Sequence, residues 1–300
     1  MTQPVGSTTY LKLIGAMFMW GGTWIAGRIV AQELTSPLAV PAIRFLLAGL
    51  VLAGFAMVIE GRIPRPHGSE WGVVSGLAMT GIFLYALCFF YGLKHISAGR
   101  GALVVALTPV VVALAAWFLG QERMTPVKLA GVAIAMLGCL TVIGNGNPLA
   151  LLHGAVGIGE WLILGCVLCW TAYTFIGRRA TKTLSPLAAT LWASLIGALL
   201  LGITALIQGG TDLAAWSPAV WASVVFLAIG GTALAFTWFA DGVKRLGAAR
   251  ASAFVNLVPV FAVLQAAVLL DERLGLSVLA GGLLVIAGVW MTANLSEKTA

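Results

Sequence analysis

Charge is what this sequence has least of. Lys, Arg, Asp and Glu make up 9% of its 300 residues, against about 25% in an ordinary soluble domain. With 60% hydrophobic residues, no soluble fold could cover the apolar surface, so the solvent for most of the chain is lipid. The ten acidic residues all fall in connections or within a turn or so of a helix end, and none lies at mid-membrane depth. That excludes a cation carrier built on a buried carboxylate. Histidine is scarce: His67, His95 and His153 sit in short polar connections. No His/Asp/Cys cluster recurs at depth and no nucleophile sits beside a base, so the sequence argues against an enzyme and calls for no metal and no cofactor. The four cysteines lie inside apolar runs. Cys166 and Cys169 have C-x-x-C spacing but no further ligand near them in sequence, and read as small apolar side chains in a membrane helix. The net charge of +7 is scattered at the ends of apolar segments, which excludes a nucleic-acid partner.

Long apolar runs are what remain. They predict ten membrane-spanning helices, near 10–30, 38–59, 71–93, 100–119, 127–144, 160–178, 187–208, 217–240, 250–270 and 275–294. In lipid each must close its own backbone hydrogen bonds, and period-2 alternation for a β-barrel is absent.

The sequence is also duplicated. Residues 101–142 align without a gap on 251–292, with thirteen identities where chance would give roughly four. Pro109 falls on Pro259, Glu122 on Glu272, Arg123 on Arg273, Gly131 on Gly281 and Gly138 on Gly288. At the same offset Trp20 falls on Trp170, Gly81 on Gly231, Gly92 on Gly242 and Arg100 on Arg250. The chain therefore reads as two five-helix repeats, residues 1–149 and 150–300. Five is odd, so the second repeat enters the membrane from the opposite side. The expected fold is an all-α polytopic membrane protein with two inverted-topology repeats, the plan of many secondary transporters. With both termini on one side, that side carries twelve Lys and Arg and the other four, leaving out Arg44. The positive-inside rule then places both termini in the cytoplasm.

Pro109 and Pro259 are the two prolines at mid-span, in equivalent helices 4 and 9, where each frees a carbonyl four residues earlier, at Val105 and Val255. Their symmetric placement marks them as gating residues, bending a central pathway. The Glu-Arg turns at 122–123 and 272–273 are expected to cap helix ends or pair with a neighbouring loop. Arg44 is the one basic residue well inside a span, and in the register set by SPLA at 36–39 and 185–188, one residue out of phase with the rest, its repeat position is Ala193. It has two readings: a ligand for a substrate carboxylate, or a side chain snorkelling to the headgroups. The substrate-binding candidates are mid-depth aromatic and amide groups: Trp20, Trp24, Tyr85, Phe89, Trp170, Tyr173, Trp238, Asn256 and Gln265. Buried Trp, Tyr and amide groups need hydrogen-bond partners, which a wet cavity or a neighbouring helix could supply.

The segments WGGTWIAGRIV in helix 1 and AIRFLLAGLVL in helix 2, with the repeated Pro–Glu-Arg–Gly–Gly pattern, resemble the ten-helix EamA branch of the drug/metabolite transporter superfamily. The resemblance covers nearly the whole chain, one EamA unit per half. It implies export of amino acids or related metabolites through a cavity lined by helices 1, 3, 4, 6, 8 and 9. Aromatic residues would hold an apolar side chain, and Asn256, Gln265, hydroxyls and freed carbonyls would hold the ammonium and carboxylate. The expected partners are a small-molecule substrate and the lipid bilayer of a bacterial inner membrane, with a monomer as the working unit. The alternative within the same fold is an exporter of other metabolites or drugs.

Overall fold

The computed structural model describes residues 7–121, 124–144, 146–147, 156–180, 182–209, 212–246 and 254–294. Among them every regular element is helical. The helices are α1 (Ser7–Glu33), α2 (Ala39–Ile59), α3 (Glu70–His95), α4 (Ala98–Phe118), α5 (Pro126–Ile143), α6 (Ile158–Ala180), α7 (Pro186–Ile207), α8 (218–246), α9 (Phe254–Leu269) and α10 (Leu276–Asn294). The first seven are long and apolar enough to cross a membrane; the last three carry shorter apolar stretches, Pro218–Thr232, Phe254–Leu269 and Leu276–Met291. Several starts are written locally. Thr125, Ser185 and Ser217 each accept a hydrogen bond from the backbone three residues on, with proline next in sequence. Such a cap satisfies an orphan N–H, and proline at the first helical position gives up none.

Side-chain bonds tie alternate helix ends together. At one end, Arg28 near the end of α1 donates to the Leu93 carbonyl of α3, and Arg100 near the start of α4 donates to the Ile143 carbonyl of α5. Ser36 before α2 meets Gln208 after α7, and Ser217 before α8 meets Glu33. Glu272, between α9 and α10, lies at this end too. At the other end Lys12 of α1 bonds Asp241 of α8 at 3.0 Å, and Trp192 of α7 donates to the Pro64 carbonyl. Here hydrogen bonds from Arg245 and then Lys12 hold the Asp241 carboxyl below the usual carboxylate range. The first repeat thus starts at the Lys12 end and the second at the Glu272 end, the inversion expected from five spans per repeat.

Helices α5 and α10 meet through small residues. A methyl added to Gly138 would sit 2.5 Å from the Gly281 carbonyl oxygen, and one added to Gly288 would sit 2.5 Å from that of Gly131. This crossed pairing requires antiparallel helices and matches what a two-fold relation between repeats demands. In lipid the hydrophobic effect does not drive helix association, so close backbone approach supplies the dispersion contact instead.

Candidate functional site

Two pairs of helices depart from regular α geometry, at equivalent places. In α3, residues Ala78–Leu84 form a π-helical turn, and in α8 residues Phe226–Leu234 do the same. Gly81 lies inside the first and Gly231 inside the second. Gly81 is pressed against the Tyr173 ring of α6, and a methyl on Gly231 would sit 2.7 Å from the Thr23 methyl of α1. Tyr173 and Thr23 are themselves repeat equivalents. Each π turn therefore lets a neighbouring helix approach, and such turns recur at functional sites. The repeated glycines were visible in sequence; the widened hydrogen-bond register was not.

The second pair is α4 and α9. The sequence predicts a kink in a continuous helix at each proline. Instead α4 is two helical segments, Ala98–Val105 and Thr108–Phe118, with Ala106 and Leu107 between them. Pro109 stands at the start of the second segment, where its missing N–H costs nothing. In α9 a 3-10 turn, Phe254–Asn256, precedes Leu257–Leu269, which carries Pro259 in its first turn. The Val105 carbonyl accepts a 2.6 Å hydrogen bond from the Thr108 hydroxyl, so the chain itself answers that freed group.

Five of the nine substrate-binding candidates form one aromatic ladder across α1, α3 and α6. Trp24 meets Phe89 with ring centroids 4.9 Å apart, Phe89 stacks on Tyr85 at 6.0 Å, Tyr85 meets Trp170 at 5.8 Å, and Trp170 meets Tyr173 at 5.2 Å. Such pairs contribute about 0.5–1.5 kcal/mol each beyond burial. Trp24 and Phe89 are buried, whereas Trp170 is 39% exposed. Trp20 and Trp238 belong to a second cluster. The Trp20 indole donates to the Gly231 carbonyl at 3.1 Å and its ring meets Phe239 at 5.2 Å; Trp238 packs on Gly15 of α1. Asn256 stands just before the main segment of α9, makes no side-chain capping bond there, and is half-buried. Gln265 is buried, and its amide donates to the Phe18 carbonyl at 2.9 Å, fastening α9 to α1.

Arg44 of α2 reaches the π turn of α8. Its Nε donates to the Thr232 hydroxyl at 3.0 Å, and its guanidinium lies over the Phe45 ring at 5.2 Å. The side chain thus points inward rather than to the headgroups. A cation at the bilayer centre costs about 2.5–3.5 kcal/mol on insertion scales, so such a residue marks a pathway or a ligand.

The Glu272 end is sealed by charge. Glu272 accepts from the Ala98 and Gly99 backbone N–H groups at 2.9 and 3.2 Å and lies 3.8 Å from Arg28. It caps α4 and pairs with α1, as expected for the Glu-Arg turn. Asp271 just before it takes a left-handed φ of 51°, which Asp tolerates. Arg100 pairs with the buried Glu160 of α6 at 3.1 Å. Glu122, Arg123 and Arg250 lie outside the described residues.

A third thiol lies near the Cys166/Cys169 pair: Cys88 of α3 packs on Gly165, next to Cys166. All three are free thiols, and among the described residues no group of His, Cys, Asp and Glu is arranged to hold a metal.

Comparison with known proteins fits this architecture. The model of the EamA-like transporter family matches residues 7–144 and again 157–294. The uncharacterized transporter YyaM of Bacillus subtilis is 30% identical, over 84% of this chain and 82% of its own. A probable terminal-alkyne amino-acid exporter of Streptantibioticus cattleyicolor is 29% identical, over 88% of this chain and 91% of its own. A crystal structure at 21% identity superposes with a TM-score of 0.63 over 98% of this chain and 99% of that one, which speaks to the fold alone.

Proposed function

This chain belongs to the EamA-like transporter family, and from that premise we propose that it exports amino acids or similar small zwitterionic metabolites by alternating access. It is a membrane transporter, not an enzyme. The observation that carries the mechanism is the unequal packing of two equivalent broken helices. In α4 the segment Ala98–Val105 is buried over Ala98, Gly99 and Gly101–Val104, and Glu272 holds its first turn. Residues 248–253, which match its first six positions, lie outside the described residues; beyond them Val104, Leu107 and Thr108 are buried, while their equivalents Phe254, Leu257 and Val258 are half-buried. Pro109 is exposed while Pro259 is buried. Two halves with one sequence pattern but two packings can exchange them. The exchange would unseal the Glu272 end and seal the Lys12 end, with Pro109 and Pro259 at the bending points.

The excess of Lys and Arg assigns the Lys12 end, and with it both termini, to the cytoplasm of a bacterial inner membrane. The aromatic ladder suits an apolar side chain. A relative named as an amino-acid exporter supports the substrate class. The protein would act as a monomer. The test is efflux of a broad panel of labelled amino acids from liposomes containing the purified protein. Saturable, protein-dependent efflux of at least one is expected. No flux across the panel would remove the substrate reading, and competition by other metabolites or drugs would then redirect it.

A further inference from the structure

We propose that Arg44 is a carboxylate-binding subsite at mid-depth, taking the anionic end of a substrate whose apolar body lies along the aromatic ladder. The proposal deepens the transport reading and rests on it for the pathway, but not for which carboxylate is carried.

Three other arginines of the bundle show the contrast. Arg28 has Glu272 and the Leu93 carbonyl. Arg100 has Glu160 and the Ile143 carbonyl, and Arg245 has Asp241. Each is answered by a carboxylate near a helix end. Arg44 lies deeper, and among the described residues no carboxylate pairs with it. A guanidinium has five N–H donors and no acceptor. The Thr232 hydroxyl takes one of them, through Nε. Thr232 spends its own proton on the Leu227 carbonyl at 2.9 Å, five residues back in the π turn, so its oxygen is fixed as an acceptor toward Arg44. The threonine orients the guanidinium and leaves the two terminal amino groups. Among the described residues neither has a hydrogen-bond acceptor.

Gly231 lies beside the fork: a methyl there would be 3.9 Å from Nη2, and the Phe45 ring centroid is 5.2 Å from the guanidinium carbon. Gly231 also abuts Thr23 of α1, next in sequence to Trp24, the first ring of the ladder that runs on to Phe89 and Tyr85. A planar fork of two amino groups matches the two oxygens of a carboxylate, and lysine does not reproduce that match. The duplication does not demand the charge either: the repeat position is Ala193, a buried residue of α7. A structural role common to both repeats therefore does not account for it.

Three phenyl compounds separate the possibilities. Phenylalanine carries ammonium and carboxylate, 3-phenylpropionate only carboxylate, and phenylalaninamide only ammonium. Binding to the purified full chain in detergent would be followed by thermal stabilisation and calorimetry. Wild type is expected to bind both carboxylates at least about tenfold more tightly than the amide. Arg44→Gln should erase the ratio, and Arg44→Lys should restore part of it. Thr232→Val, which removes only the orienting hydroxyl, should reduce it without loss of fold, and serves if Arg44→Gln does not fold. A preference for carboxylate that survives Arg44→Gln would overturn the proposal, as would no preference in wild type. Arg44-dependent binding of 3-phenylpropionate, combined with no amino-acid efflux from liposomes, would leave the subsite standing and remove the amino-acid reading.

Discussion

Gly138 of α5 and Gly281 of α10 face each other so closely that a methyl on either would meet the other's carbonyl oxygen, at 2.5 and 2.8 Å. Nothing but a shift of backbone could relieve that contact. Gly138→Leu or Gly281→Leu should therefore destabilise the protein by about 1–3 kcal/mol. Thermal unfolding in detergent measures it. Gly202→Leu is the control, because a methyl there would meet nothing within 4 Å, and no loss of stability is expected.

Glu272 does two things at one end of the bundle, capping α4 and facing Arg28. Glu272→Ala removes both and should cost about 1 kcal/mol. Its signature would be faster amide exchange confined to the first turn of α4. Glu272→Gln keeps an acceptor for the Ala98 or Gly99 N–H and should lie between. Unchanged exchange at Ala98 and Gly99 in Glu272→Ala would remove the cap from the account.

Pro109 starts a helical segment and Thr108 captures the carbonyl ahead of it. Pro109→Ala would allow α4 to run continuously. Turnover should fall several-fold while the apparent affinity for substrate stays near wild type, because the residue shapes the motion and not the ligand. Pro259→Ala should act alike, and Thr108→Val in the same direction but less. Initial rates in liposomes at several substrate concentrations separate the two parameters. Wild-type rates in both proline variants would end the gating assignment.

Cys88 and the Cys166/Cys169 pair sit on α3 and α6, which carry the aromatic ladder. Mild oxidation with copper–phenanthroline should join the two helices by a disulfide. After cleavage of the chain between residues 88 and 166, the fragments should stay together on a non-reducing gel and separate on a reducing one. Cys88→Ala should abolish the linkage. Transport should stop on oxidation and return with a thiol reductant.

The ten helices were legible because lipid imposes a length and a composition on every span. The inversion was legible because the duplication has an odd number of spans. The role of Glu272 could be anticipated, since a carboxylate between two helices has few partners other than an exposed helix start. What could not be read depends on partners distant in sequence. The direction of Arg44 is set by a threonine 188 residues away. Cys88 reaches its neighbours across two packed helices. The π turns around Gly81 and Gly231 change hydrogen-bond register without changing hydropathy. Pro109 was recognisable as a break, but whether a proline kinks a helix or begins a new one depends on the residues before it, here Ala106 and Leu107.

The account stands or falls on reciprocal motion at the two ends. Spin-label pairs at residues 95 and 273 for the Glu272 end, and 7 and 245 for the Lys12 end, all on exposed positions, would report it in a cysteine-free background. With substrate added, pulsed dipolar spectroscopy should show the 95–273 distances lengthening while the 7–245 distances shorten. Both pairs moving in the same sense, or neither moving while transport proceeds, would contradict alternating access between two exchanged halves.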